Sequence, residues 1–289
     1  MENDRMSVRM IACDLDGTLL NSEHSIGEYT LKMLKEASAQ GIILVLSTGR
    51  DKGSLSFVYE PLELESGNNY VAGINGEVIY SFEKKEYFVD EVLNDKDAHK
   101  CMAIAKKYNM ECICCCGYDR YNYISKPLKL MRKVKSLLKG KPKDYGLQDG
   151  KRFFIEVNDS EFEITQDVNK VIFIQSATFF NKNLTKIREE LKEYDVLKVG
   201  PGWIEVMPHG VNKGSALMRI AKENNIDMKD VMCFGDAEND LSMFKVCGYS
   251  VAMGNAMKCV KDIAWKICDD HDHEGIGKTI HTYALHQEE

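Results

Sequence analysis

Two carboxylates stand one residue apart near the start of the chain, in Asp14-Leu15-Asp16-Gly17. They follow Val8–Cys13, a mostly apolar run that predicts a buried parallel strand. In open α/β sheets, ligands bind beyond the carboxyl ends of such strands. Two carboxylates in one loop repel each other unless a cation lies between them, and Mg²⁺ prefers oxygen ligands. The alternative without chemistry is an acidic helix start beside a Gly-Thr turn.

Two later segments have residue types that suit phosphoryl transfer, a reaction that depends on positioning and on stabilising charge. Thr48 follows the apolar run Ile42–Leu46 and offers a hydroxyl that can donate to a phosphoryl oxygen. Lys213 lies in Gly210-Val211-Asn212-Lys213-Gly214 and offers a compact positive charge. Taken alone, each segment is also typical of a turn or of a solvated helix residue.

The fourth polar segment is Gly235-Asp236-Ala237-Glu238-Asn239-Asp240, directly after the predicted strand Val231–Phe234. Asp236 adds a third carboxylate at a strand end, and Asn239 adds an amide close to it. Taken alone, Asp236 could instead be the N-cap of a helix.

The segment Asp14-Leu15-Asp16-Gly17-Thr18-Leu19 resembles the first motif of the haloacid dehalogenase superfamily of phosphotransferases. The four segments together match the four motifs of that superfamily in order. The Asn75-Gly76 pair, the large insert after the second segment and Gly210–Gly214 resemble its Cof-type subfamily. The resemblance covers nearly the whole chain. It implies an α/β fold, with a Rossmann-like doubly wound parallel-sheet core and an inserted α+β cap domain of type C2 that closes over the site and selects the substrate.

The resemblance also implies a role for each motif residue. Asp14 would be the nucleophile that forms an aspartyl-phosphate, and Asp16 the general acid/base. Mg²⁺ would be bound by the Asp14 carboxylate, the backbone carbonyl of Asp16 and the Asp236 carboxylate. Lys213 would offset the negative charge of Asp14 and the phosphate. The phosphate would be bound by Leu15 and Gly49 through backbone N–H groups and by Thr48, Lys213 and Asn239.

The order of predicted elements divides the chain into two domains. Helices and strands alternate strictly at both ends, which predicts right-handed crossovers and a parallel sheet. Between them the pattern is mixed, as in an α+β domain. We therefore assign residues 1–85 and 208–289 to the catalytic core and residues 86–207 to the inserted cap. Hinges are expected near Ser81–Glu86 and Met207–Gly210.

Several local signals predict individual elements. Ser25 with Glu28 predicts a capping box at a helix start. The Asn75-Gly76 pair between two apolar runs predicts a β-hairpin. A lysine-rich helix is expected at Pro127–Lys139, and a buried strand at Cys112–Cys116.

Two stretches could suggest additional metal sites. The four cysteines of Cys112–Cys116 cannot all face one ion, because neighbouring side chains of a strand point to opposite faces. A loop with the run His271-Asp272-His273 is expected near Cys268–Ile276, and such a run could bind a transition metal. A second metal there would require four or more well-placed ligands, so a loop of polar residues is the simpler interpretation.

Composition limits the classes of partner. The chain has 289 residues, 44% of them hydrophobic and 29% charged, as expected for one or two globular domains. The net charge of −7 argues against a non-specific nucleic-acid binder. There is no apolar run of transmembrane length, and the first nine residues do not resemble a signal peptide. With ten cysteines, the chain is expected to be cytoplasmic, where thiols stay reduced.

The function that these features predict is a Mg²⁺-dependent phosphatase acting on small phosphorylated metabolites, either sugar phosphates or cofactor-type phosphomonoesters. A phosphomutase or phosphosugar transferase of the same superfamily is an alternative. A catalytically silent regulator that binds sugar phosphates is another, although Asp14, Asp16, Lys213 and Asp236 argue against it. The sequence names neither the substrate nor the oligomeric state.

Overall fold

The structure is a computed structural model that describes residues 7–89, 91–117, 119–131, 153–157 and 163–285. The chain forms two compact units. One unit consists of Met1–Asp90 and Val211–Glu289, and the other of Glu91–Gly210.

In chain order, the strands are β1 (Met10–Cys13), β2 (Ile43–Ser47), β3 (Tyr70–Gly73), β4 (Val78–Ser81), β5 (Glu86–Val89), β6 (Glu111–Cys116), β7 (Asp119–Tyr123), β8 (Phe153–Glu156), β9 (Lys170–Ile174), β10 (Tyr194–Gly200), β11 (Trp203–Pro208), β12 (Val231–Gly235), β13 (Tyr249–Ala252) and β14 (Lys266–Ile267). The α-helices are α1 (Glu28–Ala39), α2 (Ser56–Tyr59), α3 (Asp95–Tyr108), α4 (Ala177–Glu190), α5 (Lys213–Glu223), α6 (Leu241–Phe244), α7 (Lys258–Lys261) and α8 (Gly275–Tyr283). Short 3₁₀ turns lie at Lys52–Ser54, Leu64–Ser66, Ile74–Gly76, Met228–Asp230 and Glu238–Asp240.

The first unit contains an eight-stranded sheet in the order β14-β13-β12-β1-β2-β3-β4-β5. The strands from β14 to β3 are parallel, and β4 and β5 continue the sheet as antiparallel strands. Every residue of β1, β2 and β12 is buried, because a parallel sheet of this kind is covered by helices on both faces. This architecture agrees with the α/β class that the sequence predicted.

Strand β5 corrects the predicted domain boundary. The sequence placed Glu86 at the start of the insert, but Glu86–Val89 pairs with β4 along its whole length in the core sheet. The first crossing between the two units therefore follows β5, not residue 85, and the hinge predicted at Ser81–Glu86 falls inside a paired hairpin. Tyr87, Phe88 and Val89 are residue types that favour strands, but so short a run does not specify the sheet to which a strand belongs.

The second unit has its own hydrophobic core. Its six-stranded sheet has the order β10-β11-β9-β6-β7-β8, with antiparallel pairs except for β7 beside β8. Residues of α3 and α4 pack on one face of this sheet, against the buried side chains of Cys112, Cys114 and Phe173. The prediction that the cysteine run forms a buried strand is thus confirmed, and these thiols are free.

Three further predictions concern a hairpin, a helix and the absence of a transmembrane segment. The hairpin is confirmed, since β3 and β4 are antiparallel with Gly73 opposite Val78. Residues 126–131 are helical, and the rest of the predicted helix Pro127–Lys139 lies outside the described residues. Of the helices that the structure describes, none is long and apolar enough to cross a membrane.

The predicted capping box at Ser25 is wrong. Helix α1 begins at Glu28 after Gly27, and the Ser25 side chain donates to Asn21 instead. The carboxylate of Glu274 accepts hydrogen bonds from the backbone N–H groups of Tyr29, at 3.2 Å, and Thr30, at 2.9 Å. The cap therefore comes from a residue more than 240 positions away, just before α8, a helix that the sequence did not predict.

Candidate active site

The carboxyl ends of three adjacent strands define the centre of the first unit. Strand β1 lies between β12 and β2 and is parallel to both. Asp14 directly follows β1, Thr48 follows β2 and Asp236 follows β12. Helix α5 begins at Lys213, which belongs to the predicted segment Gly210–Gly214. The loops that the sequence singled out thus meet at one edge of the sheet.

Lys213 lies between two carboxylates in the interior of this site. Its Nζ atom donates to Asp14 Oδ1 at 2.5 Å and to Asp240 Oδ1 at 2.6 Å. Lys213 and Asp240 are both fully buried, and Asp14 is 7% exposed. A lysine is this deeply buried only when its charge is paired, so the contact fixes the ammonium next to Asp14.

The second oxygen of Asp240 organises the backbone of the fourth segment. Asp240 Oδ2 accepts from the N–H groups of Asp236, at 2.9 Å, and Ala237, at 3.0 Å. One buried carboxylate therefore positions both Lys213 and the turn that carries Asp236. Asp240 belongs to a segment that the sequence singled out, but no local pattern predicted a role for this residue.

Burial and neighbouring charges shift the pKa values of Asp14, Asp236 and Lys213. Burial raises the pKa of Asp14 to about 8; the Lys213 ammonium opposes this rise, and the carboxylates of Asp240 and Asp236 add to it. Burial and then Asp240 raise the pKa of Asp236 to about 6. Burial by itself would lower the pKa of Lys213, but Asp14 and Asp240 outweigh it and raise that pKa. The site thus has an excess of negative charge that one ammonium does not balance.

This donor set fits a divalent cation. One oxygen from each of Asp14, Asp236 and Asp240 lies within 4.8 Å of the other two. Because Asp240 already accepts from Lys213 and two backbone N–H groups, Asp14 and Asp236 have the more available oxygens. Hard divalent cations take oxygen ligands of this kind, and their charge would offset the carboxylate repulsion.

A glycine allows the Asp236 carboxylate to approach the first segment. Gly17 has a φ of +82°, and a Cβ atom there would lie 2.8 Å from Asp236 Oδ2. Asp236 Oδ1 accepts from the hydroxyl of Thr18 at 3.0 Å. A glycine at this position permits the positive φ, and any side chain here would collide with a candidate metal ligand.

Asp16 is directed away from the buried cluster. Its carboxylate is held by the guanidinium of Arg50, with Nε 2.9 Å from Oδ2 and Nη2 2.5 Å from Oδ1. The Asp16 side chain is 52% exposed. It is therefore accessible to a substrate at the mouth of the site, and its side-chain oxygens are not part of the acidic cluster. Arg50 was not singled out by the sequence analysis, although it directly follows Thr48 and Gly49.

The residues predicted to bind phosphate are linked through the hairpin. The amide Nδ2 of Asn239 donates to Asn75 Oδ1 at 3.1 Å, and the N–H of Asn75 donates to the carbonyl of Thr48 at 2.9 Å. Asn75 is fully buried and has a φ of +55°, which asparagine tolerates better than most residues. A Cβ atom at Gly49 would lie 3.3 Å from Asn75 Oδ1. Leu15, the remaining predicted residue, is fully buried directly after Asp14.

The hairpin also packs on the start of α5. Gly76 has a φ of +99°, and a Cβ atom there would lie 2.3 Å from the carbonyl oxygen of Asn212 and 3.0 Å from the N of Lys213. Asn212 caps this helix by accepting from the N–H of Ser215. The Asn75-Gly76 pair is thus part of the scaffold that positions Lys213, which its sequence signature did not reveal.

Polar side chains of the loop before α8 contact other residues of the protein. Asp272 accepts from the N–H and hydroxyl of Ser22, both at 2.7 Å, and His273 Nδ1 lies 2.6 Å from Asp270 Oδ1. Among the described residues, the only group of three or more His, Cys, Asp or Glu side chains placed to hold a metal is Asp14, Asp236 and Asp240. The His-Asp-His run therefore does not form a second such group in the part of the chain that the structure describes.

Comparisons with known proteins agree on one family. A family model described as haloacid dehalogenase-like hydrolase matches residues 11–280. A putative phosphatase of Streptococcus pyogenes serotype M6 is 27% identical over 281 residues, which cover 97% of this chain and 100% of that protein. The 5-amino-6-(5-phospho-D-ribitylamino)uracil phosphatase YcsE of Bacillus subtilis is 27% identical, with 99% of both chains covered. A solved haloacid dehalogenase-like hydrolase from B. subtilis is 26% identical, with a TM-score of 0.76 over 96% of this chain and 100% of that one.

Proposed function

We propose that this chain acts on small phosphorylated metabolites, with Mg²⁺ and through an aspartyl-phosphate intermediate. The chain belongs to the haloacid dehalogenase-like hydrolases and is a hydrolase of phosphoric monoesters. The observation that carries this proposal is the buried contact of Lys213 with both Asp14 and Asp240, beside Asp236. A buried ammonium next to a carboxylate at a strand end is suited to a nucleophile that must approach an anionic phosphate.

In the first step, one oxygen of Asp14 attacks phosphorus while the bond to the leaving oxygen breaks. Lys213 holds the other oxygen of Asp14 and orients the nucleophile. Asp16, at the exposed side of the site, gives its proton to the leaving oxygen. Thr48, Asn239 and the backbone N–H groups of Leu15 and Gly49 would hold the phosphoryl oxygens.

In the second step, water attacks phosphorus, its proton passes to Asp16, and the bond between phosphorus and Asp14 breaks. Asp14, Asp236 and the carbonyl of Asp16 would hold the metal, whose positive charge would offset the repulsion between the nucleophile and the phosphate. Asp240 keeps Lys213 and the Asp236 turn in place through both steps.

Residues 91–210 are proposed to act as the cap domain that selects the substrate. Two named relatives support a small metabolite as the substrate class, since one acts on a phosphoribitylaminouracil and another is named a phosphoglycolate phosphatase. Because the substrates in these two names differ, neither can be assigned to this chain from its relatives. Replacing this segment with that of YcsE should change the preferred ester without changing the metal requirement. A folded chimera that keeps the original preference would refute the proposed role of the cap.

The test of the function is phosphate release by the purified protein with Mg²⁺. We expect hydrolysis of p-nitrophenyl phosphate first, and then selective hydrolysis within a panel of phosphorylated metabolites. Transfer of the phosphoryl group to an added sugar phosphate, without release, would indicate the phosphomutase alternative. Binding of sugar phosphates with no turnover of any ester would indicate the regulator.

A further inference from the structure

Arg50 makes a two-point contact with the proposed acid/base residue Asp16. Nε and Nη2 of its guanidinium donate to the two different carboxylate oxygens. A fork of this kind fixes the plane of a carboxylate as well as its position. With side chains 36% and 52% exposed, the pair adds little to folding stability, so stability alone does not account for it.

The backbone of Arg50 is held rigidly by the site itself. Its N–H donates to Thr48 Oγ1 at 3.1 Å, and its carbonyl accepts from the N–H of Ile74 at 3.0 Å. A Cβ atom at Gly73 would lie 2.9 Å from that carbonyl oxygen, so the hairpin packs directly on it. Arg50 therefore extends from a fixed point, whereas Asp16 lies in a loop beside a glycine.

Proton transfer places a geometric demand on Asp16. Its carboxyl must reach the bridging oxygen as the bond to phosphorus breaks and the phosphoryl group moves to Asp14. Protonation makes the oxygen that carries the proton a weaker acceptor for Arg50, but the other oxygen still accepts fully. Arg50 can thus keep one contact with Asp16 when it is protonated and both contacts when it is a carboxylate ready to take a proton from water.

We propose that Arg50 is a positioning residue that orients Asp16 toward the leaving oxygen. The inference rests on the proposed function, because it requires Asp16 to be the acid/base. Arg50 acts through Asp16, so its loss should slow formation of the aspartyl-phosphate in proportion to how much the leaving group needs a proton.

The first test compares leaving groups. Arg50→Gln removes the fork but keeps a polar chain of similar reach. We expect kcat/KM, which covers the steps up to formation of the aspartyl-phosphate, to fall about tenfold or more further for a simple alkyl phosphate than for p-nitrophenyl phosphate, because nitrophenolate leaves without a proton. Arg50→Lys keeps the charge without the fork, and we expect it to restore little of the alkyl phosphate rate. An equal loss for both esters, or full recovery with lysine, would overturn the proposal.

The second test is a double-mutant cycle with Asp16→Asn. If Arg50 acts through Asp16, Arg50→Gln should slow the Asp16→Asn protein by no more than about twofold. A general structural effect of Arg50 would instead reduce the rate by the same factor in both backgrounds, which would refute the positioning role. Thermal unfolding of each variant separates either outcome from loss of the fold.

A matched control is available in the same unit. Lys35 donates to Glu63 at 2.6 Å in an ion pair with side chains 38% and 68% exposed. Lys35→Gln should leave both the rate and its dependence on the leaving group unchanged.

The proposed function and the inference fail separately. If Asp16→Asn itself shows no selective loss of the alkyl phosphate, the acid/base assignment is wrong; if it does and Arg50→Gln does not, only the positioning role is wrong.

Discussion

Lys213 Nζ lies 2.6 Å from Asp240 Oδ1, and both side chains are completely buried. Lys213 begins helix α5, whereas Asp240 ends the 3₁₀ turn before α6. The same ammonium contacts Asp14 at 2.5 Å. Asp240 thus controls the charge beside the proposed nucleophile without being placed to attack phosphorus. These contacts join three distant segments, the loops after β1 and β12 and the start of α5, into one site.

Asp14→Asn should abolish turnover and leave the fold intact. The amide is nearly isosteric with the carboxylate but is a poor nucleophile, so we expect kcat to fall on the order of 10³-fold or more. Activity of a purified variant should be compared with its thermal unfolding. Substantial residual turnover by a folded Asp14→Asn protein would exclude Asp14 as the nucleophile.

Removal of divalent cations should abolish activity. EDTA is expected to inactivate the enzyme and added Mg²⁺ to restore it, while Ca²⁺, with its larger and looser coordination, should inhibit. Asp236→Ala should weaken Mg²⁺ binding by more than about tenfold, which calorimetry can measure independently of turnover. Full activity after exhaustive chelation would contradict the metal assignment.

Asp240→Asn should lower both stability and activity. The change leaves Lys213 with one anionic partner and an amide that cannot replace all three contacts of the carboxylate. Breaking a buried ion pair costs roughly 3–5 kcal/mol, which denaturant unfolding would detect. Asp262→Asn, which disrupts the exposed Lys258 pair, is the control and should have no measurable effect. Wild-type stability of Asp240→Asn would show that the buried contact is not needed.

Glu274 should stabilise the fold as the remote cap of α1. Glu274→Ala removes the acceptor for Tyr29 and Thr30, and we expect a loss of about 1–2 kcal/mol in the free energy of unfolding. A Cβ atom at Gly27 would lie 2.3 Å from Glu274 Oε1, so Gly27→Ala should displace the same carboxylate. Gly27→Ala should lower the free energy of unfolding by less in the Glu274→Ala background than in the wild type. Strictly additive effects of the two changes would argue against the shared contact.

Gly76→Ala should impair the enzyme through Lys213. The backbone there has a positive φ, and the added methyl group would meet the carbonyl oxygen of Asn212. We expect a stability loss above about 1 kcal/mol and a lower kcat, because the start of α5 must move. Gly41→Ala shares the positive φ but has open space around its Cβ position, and so it should lower stability while sparing kcat. Equal effects on kcat would show that the hairpin does not position Lys213.

Much of the fold followed from local signals. Fully apolar runs such as Ile42–Leu46 predict buried strands, and the glycine-tipped segments after them mark the strand ends where a site forms. The family and the α/β class predicted from the four segments are confirmed by the family model over residues 11–280. Strand β5 was assigned to the insert because its short run of strand-favouring residues does not specify a sheet, and its position in the core sheet depends on pairing with β4.

The sequence by itself determined which residue types stand after the core strands, such as Asp14 and Asp236, and that Lys213 stands near the start of a helix, since strand and loop chemistry are read within a few residues. Only the tertiary structure decided their partners. Asp240 contacts a lysine 27 positions before it, and Arg50 contacts an aspartate 34 positions before it. Glu274 caps a helix more than 240 positions away, in place of the nearby Ser25. Such contacts arise when the chain brings distant strand ends to one edge of the sheet, and no local spacing specifies which buried charges or orphan N–H groups will then meet.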